Sequence, residues 1–167
     1  LERGFGTTIG NALRRVMLSS LPGSAITSVK IEGVMHEFQK IDGVVEDVTA
    51  IVLALKSIVI KNHSDEDKVI RIFANQEGPV TAGDIERDAD IEIVNPDLVI
   101  ANLVKGGKID MEMTVSNGRG YVDAKTNQKL LGENKMGVIA IDSIYSPIER
   151  VNYEVESARV GQNENFD

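Results

Sequence analysis

Between Ala25 and Val34 apolar and polar residues alternate with period two. Thr27, Val29, Ile31 and Gly33 share one side and Ser28, Lys30 and Glu32 the other, which predicts a strand. Ahead of it the spacing changes. Ile9, Ala12, Leu13, Val16 and Met17 fall at i, i+3, i+4, i+7 and i+8, the stripe of an amphipathic helix. Thr7 or Thr8 supplies an N-cap hydroxyl, and Pro22-Gly23 supplies the stop. Leu18 and Leu21 widen the stripe beyond what a helix lying on one sheet needs. Burying each large aliphatic side chain contributes roughly 1.5–3 kcal/mol, so this face either fills a core or meets a partner.

After the break at Asp42-Gly43, Val44, Val48, Ile51, Val52 and Leu55 return to helical spacing. Glu46 and Asp47 are expected in the first turn and Lys56 in the last, a charge order that suits the helix dipole. Ser57–Lys61 reads as a short strand and Asn62–Asp67 as a polar loop. Lys68–Ala74, Ile91–Val94, Leu98–Leu103, Ile109–Ser116 and Val138–Tyr145 are further candidate strands. The cleanest alternation sets Ile109, Met111, Met113 and Val115 against Asp110, Glu112, Thr114 and Ser116, implying an antiparallel sheet with one wet face. Gly106-Gly107 predicts a hairpin turn before it, and Val151, Tyr153 and Val155 a last strand after Ser146-Pro147. The fold class is α+β with strands dominant. The first helix and last strand are the least acidic parts and lie at opposite ends, with a β-rich stretch between them as if inserted. The expected division is 1–22, 23–148 and 149–167.

The 167 residues suffice for one domain or two small ones. Zero cysteines exclude thiolate metal sites and cysteine nucleophiles and fit a reducing compartment. No apolar run approaches the ~20 residues of a membrane span, and no signal-peptide arrangement is visible. The chain opens at Leu1 and stops amid polar residues at Asp167, so a fragment of a longer polypeptide is expected. Its net charge of −8 argues against nonspecific nucleic-acid binding. Residues 1–30 carry +3, from Arg3, Arg14, Arg15 and Lys30 against Glu2, which leaves −11 for the rest. That is either a partner surface of mixed sign or ordinary surface variation.

Gly4, Gly6 and Gly10 invite a phosphate-loop reading, but Ile9 stands where the dinucleotide fingerprint needs its third glycine. No Gly-Lys-Ser/Thr follows either, so tight turning explains the glycines better. Asp88, Asp90 and Glu92 would place three carboxylates on one strand face, a cation site or simply a solvated acidic face. Asp65-Glu66-Asp67 reads as a loop tip. His36 and His63 stand far apart, with no Ser or acid at triad spacing. Gly118-Arg119-Gly120-Tyr121 reads as a turn rather than an RNA-binding repeat. Arg14 and Arg15 point ~100° apart on a helix, so only one can border a given neighbour. They are interface residues beside a broad apolar face, or solvated cations.

The run LERGFGTTIGNALRRVMLSSLPG, continuing into AITSVKIEGVMHEF and GVVEDVTAIVLALK, resembles the N-terminal domain family of the bacterial RNA polymerase α subunit. The likeness persists through GPVTAGDI, DIEIVNPD, GRGY and IDSIYSPIERVNYEVESARV, so it covers nearly the whole chain. The resemblance implies a homodimeric scaffold on which the β and then the β′ subunit assemble, with no catalytic site, cofactor or metal of its own. It also implies a dimerisation subdomain, 1–22 and 149–167, interrupted by a β-rich subdomain, 23–148. Ile9, Leu13, Val16 and Met17 would anchor the two-fold interface. Arg15 matches the helix arginine associated with β binding, and Leu18 and His36 lie in segments that face β. Lys56 and Ile141 match positions associated with β′ contact. No membrane and no direct DNA contact are implied, since the DNA-reading part of the family is a separate C-terminal domain. The implied location is the bacterial cytoplasm, with the nucleoid. The family's opening strands and second dimerisation helix are not in this chain, and Thr7 stands where many relatives carry His. Two other readings compete: a nucleotide- or metal-dependent enzyme using Gly4–Gly10 or Asp88–Glu92, and a single-stranded-RNA binder built on the β-rich part. Calorimetry with nucleotides and divalent ions tests the first. Salt-dependent oligonucleotide affinity tests the second.

Overall fold

The computed structural model describes residues 21–132 and 136–146. In chain order its elements are β1 (Pro22–Ile31), α1 (Val48–Lys56), β2 (Ile60–Asn62), β3 (Lys68–Ala74), β4 (Gly78–Thr81), a 3-10 turn (Ala82–Asp84), β5 (Ile91–Ile93), β6 (Val99–Leu103), β7 (Ile109–Arg119), β8 (Tyr121–Val122), α2 (Ala124–Leu131), β9 (Val138–Ala140) and β10 (Ser143–Ile144). The amphipathic run ending at Leu18 and the alternation from Val151 to Val155 lie outside the described residues. Among those described, no helix is long and apolar enough to cross a membrane.

The Ile109–Ser116 alternation becomes part of β7, the longest of the described strands. Ile109, Met111, Met113 and Val115 are buried, while the residues between them are half-buried or exposed. It lies inside an antiparallel sheet of order β3-β7-β1-β9. Ile70 and Ile72 of β3 and Val29 and Ile31 of β1 share its inner face. Val48, Ile51, Val52 and Leu55 of α1 complete one continuous buried cluster with them. The outer face carries Arg71, within 3.8 Å of Asp110 and 3.9 Å of Glu112, an exposed ladder of modest energetic weight. The other described strands form two-stranded pairs, β2–β5, β4–β6 and β8–β10. The class is α+β with mainly antiparallel strands.

β1 departs from its predicted phase. Its pairing with β7 runs Ile26 to Val115 and then Ser28 to Thr114, leaving Thr27 as a bulge. The extra residue lets Ile26 and Val29, three apart, both enter the core. Thr27 is half-buried instead of sharing the face of Val29 and Ile31. Pro22-Gly23 open this strand, a position proline tolerates because no preceding ladder bond needs its N–H. Glu46 and Asp47 precede α1 rather than occupy its first turn. Asp47 is the N-cap and accepts from the Ala50 N–H at 2.8 Å. Both Glu46 carboxylate oxygens accept from Asn102, at its backbone N–H (2.7 Å) and side-chain amide (2.9 Å).

Gly106-Gly107 is a turn but no hairpin, because β6 pairs with β4 whereas β7 pairs with β1 and β3. The chain changes sheets there. The expected strand at Ser57–Lys61 begins only at Ile60, since Ser57 caps α1. Asn62 is a strand residue, buried on the same side as Ile60. Its N–H donates to Ser24 Oγ (2.8 Å) and its amide to the Glu66 carbonyl (2.7 Å), while its Oδ1 accepts from Ser64 Oγ (2.7 Å). Val138–Tyr145 divides into β9 and β10, on different partners.

Helix α2 had no apolar stripe to announce it; its buried residue is Asn127, whose amide donates to the Ile141 carbonyl (2.7 Å) and Ser143 Oγ (2.9 Å). Asp123 caps it, accepting from the Thr126 N–H at 2.8 Å. That backbone bond, and then the Thr126 hydroxyl, hold the Asp123 carboxyl below its ordinary 3.8. A carboxyl pKa depressed by folding stabilises the folded state above the ordinary value. That contribution disappears as pH falls through the lower folded value. Amide exchange at Thr126 and Asn127 should therefore accelerate on acidification below 3.8, and an Asp123→Ser variant should lack that step while keeping a cap. An unchanged acid response in the variant would remove Asp123 as its source.

Candidate functional site

Six of the nine residues singled out for partner contact, Ile9, Leu13, Arg15, Val16, Met17 and Leu18, lie outside the described residues. The other three do not gather into one cleft. His36 lies in the loop seated against the start of α1 and Lys56 is the helix's last residue, with nine residues of helix, roughly 13 Å long, between the two ends.

The His36 end is an exposed loop held down by backbone bonds. Gln39 Oε1 accepts from the backbone N–H groups of Met35 and His36, the latter at 2.9 Å. The Phe38 N–H donates to His36 Nδ1 at 3.2 Å, and the two rings sit 6.3 Å apart, tilted by 46°. Thr49 Oγ1 donates to the Glu37 carbonyl (2.9 Å) and the Val48 N–H to that of Gln39 (3.0 Å), seating the loop on the start of α1. This arrangement leaves Met35 56% and Phe38 80% exposed on either side of His36. Burying such side chains against a partner releases free energy that an isolated chain forgoes.

The Lys56 end is polar. Lys56 Nζ lies 3.0 Å from Asp142 Oδ2, while Asp142 Oδ1 accepts from the Ala124 N–H at 2.7 Å. Asp142 therefore ties the end of α1 to the start of α2. Eighty-six residues separate Lys56 from Asp142 in the chain, and no local spacing marks the pair. Ile141 is only 1% exposed. Its N–H donates to the Thr27 carbonyl (2.9 Å), so its side chain belongs to the core and what it positions outward is Asp142.

The carboxylates of Asp88, Asp90 and Glu92 do not share one strand face. Only Glu92 is in β5; Asp88 and Asp90 precede it and converge on Lys68 Nζ, at 3.3 and 3.2 Å. The Asp90 contact, then that of Asp88, pushes the Lys68 pKa up from its ordinary 10.5. Glu92 lies 3.9 Å from Lys61 instead. His63 meets this cluster through its backbone N–H, which donates to the Asp90 carbonyl at 2.8 Å. In the Gly118–Tyr121 run the turn is confined to Gly120, since Gly118 and Arg119 end β7 and Tyr121 begins β8. A cavity of about 360 Å³ adjoins the start of β1, lined by Pro22, Ser24, Val59, Asn62, Asn117 and Tyr145 among others.

A family model described as the RNA polymerase Rpb3/RpoA insert domain matches residues 29–146. The chain is 61% identical over all 167 residues to the DNA-directed RNA polymerase subunit alpha of Desulforamulus reducens, covering 52% of that protein. It is 60% identical over its whole length to the proteins of the same name from Moorella thermoacetica and Symbiobacterium thermophilum, covering 53% and 52% of them. The chain thus spans about half the length of the curated relatives it matches.

Proposed function

The chain belongs to the RNA polymerase Rpb3/RpoA insert-domain family, as part of an α-subunit sequence, and on that premise we propose that it is a non-catalytic scaffold of bacterial DNA-directed RNA polymerase. In this reading the subunit forms a homodimer and then collects the β and β′ subunits in the cytoplasm, using no cofactor. Residues 1–22 and 149–167 belong to the dimerisation subdomain, and 23–148 form the unit inserted between them. Ile9, Leu13, Val16 and Met17 make the two-fold contact. Arg15, Leu18 and His36 meet β, while Lys56 and the segment anchored by Ile141 meet β′.

The observation that carries the reading is the separation of two unlike surfaces by one helix. At one end of α1, Met35 and Phe38 flank His36 with exposed apolar surface. At the other, Lys56 and Asp142 form a half-buried ion pair. An enzyme needs its groups within reach of one reacting atom, whereas a scaffold needs separate surfaces for separate partners. The wide apolar spacing that the sequence sets between Ile9 and Leu21 would supply a third surface, and point-group symmetry makes a self-complementary contact its simplest use.

Co-purification with the full-length subunit tests this. Arg15→Ala should weaken β capture while leaving the dimer intact by sedimentation. Unfolding of that variant would make Arg15 structural and overturn its assignment. Leu13→Asp should break the dimer or the fold, because it places a carboxylate on the apolar face. Lys56→Ala should spare β capture and lower β′ incorporation. Equal loss of both subunits would refute the division of surfaces.

A further inference from the structure

The described chain enters and leaves at the same place. Gly23, the second residue of β1, lies so close to Tyr145 that a Cβ there would stand 1.7 Å from the Tyr145 carbonyl oxygen. Gly118 is the cross-strand partner of Gly23 in the β1–β7 ladder. A Cβ on Gly118 would stand 2.8 Å from two carbons of the Tyr145 ring. Two facing glycines therefore cut a notch in the outer face of the sheet, and Tyr145 fills it. Neither glycine has the positive φ that would otherwise demand the residue type, so close approach is what the notch requires.

The tyrosine is fixed from three directions. Its hydroxyl is 2.7 Å from Ser116 Oγ, and Ser116 lies on the same face of β7 as Gly118. Its N–H donates to the Gly120 carbonyl at 2.8 Å. The residue before it, Ile144, pairs with Tyr121 in the β8–β10 ladder. A tyrosine only 6% exposed, with its hydroxyl satisfied, loses both packing and a hydrogen bond if moved.

We propose that Tyr145 is the positioning residue that locks the two chain crossings of this unit into one rigid neck. The lock fixes the orientation in which the unit is presented to the rest of the subunit. Two adjacent strands without a cross-brace hinge about each other; a backbone that abuts Gly23, carrying a ring seated over Gly118 and bonded to Ser116 of β7, removes that freedom. The orientation part rests on the reading of 23–148 as a unit inserted into a dimerisation subdomain.

The test uses the full-length subunit with single cysteines replacing Lys125 in the unit and Gln162 beyond it, spin-labelled and diluted with unlabelled subunit. Wild type should give a narrow distance distribution. Tyr145→Ala should broaden it and accelerate amide exchange at Gly23 and Ser146 on the order of tenfold, while the amides of Ile70 and Met113 keep their protection. Tyr145→Phe keeps the ring and loses the hydroxyl, and should give an intermediate result. Gly118→Ala, which pushes the ring out, should reproduce Tyr145→Ala. A narrow wild-type distribution that no variant alters overturns the lock. A broad wild-type distribution overturns the rigid insertion itself. Loss of protection at Met113 in every variant would show that Tyr145 holds the unit's fold rather than its orientation, and would equally defeat the proposal.

Discussion

Alanine at position 107 is expected to destabilise the full-length subunit by roughly 3 kcal/mol, a large effect for one methyl group. A Cβ there would lie 2.2 Å from the Gly43 carbonyl oxygen and 3.0 Å from that of Val104. Neither oxygen is free to retreat. The Val104 N–H donates to the Gly43 carbonyl at 3.0 Å, the Gly107 N–H donates to the Val104 carbonyl at 2.8 Å, and Val44 bridges to Leu103. The adjacent glycine separates two causes. Gly106 has φ +82° and open space within 4 Å of where a Cβ would stand, so Gly106→Ala should cost only the left-handed penalty of about 1–2 kcal/mol. Urea midpoints of the two variants at unchanged m-value measure the difference. Equal midpoints would mean that the backbone approach to Gly43 contributes nothing beyond turn conformation.

Met113→Ala should cost about 2–5 kcal/mol, the range for emptying a packed core position. Met113 is fully buried at the middle of the sheet, paired with Val29 on one side and Ile70 on the other. Two strands thus lose contacts at once. Met113→Leu preserves volume and should cost less than about 1.5 kcal/mol. Met113 is fully buried, away from the surface proposed to meet β, so under that proposal β captured per folded subunit should stay constant while the amount of folded subunit falls. A drop in capture by a fully folded Met113→Leu protein would place the sheet's interior in communication with the contact surfaces.

The long elements were legible because their burial is one-sided. Lys68–Ala74 appears as β3 with unchanged ends, and Ile109–Ser116 as the first eight residues of β7, since period-two alternation encodes a half-buried strand directly. The spacing Val48, Ile51, Val52, Leu55 gave α1 its buried face. What escaped depends on contacts far along the chain. Gly78–Thr81 is a strand because Leu103, Asn102 and Ala101 pair with it, and α2 is buried through an asparagine rather than an apolar stripe. The sheet change after Gly106 has no local signature. At the candidate surfaces, Met35 and Phe38 were visible beside His36 in one tetrapeptide. The partnership of Lys56 with Asp142 was not, because only folding brings them within 3.0 Å. Ile141, expected to meet β′, is only 1% exposed.

The supernumerary Thr27 has a genetic corollary. Its carbonyl receives the Ile141 N–H and its hydroxyl reaches the Thr114 carbonyl at 3.4 Å, so this residue is bound in place rather than idle. Removing that one codon would leave Ile26 and Val29 two apart, the regular strand period, so Ile26 would still pair with Val115 and face the core while both bonds and the local bend disappeared. The lesion would straighten the strand and cut its tie to Ile141 without turning any face over, and a residue restored at the same point should bring the bend back.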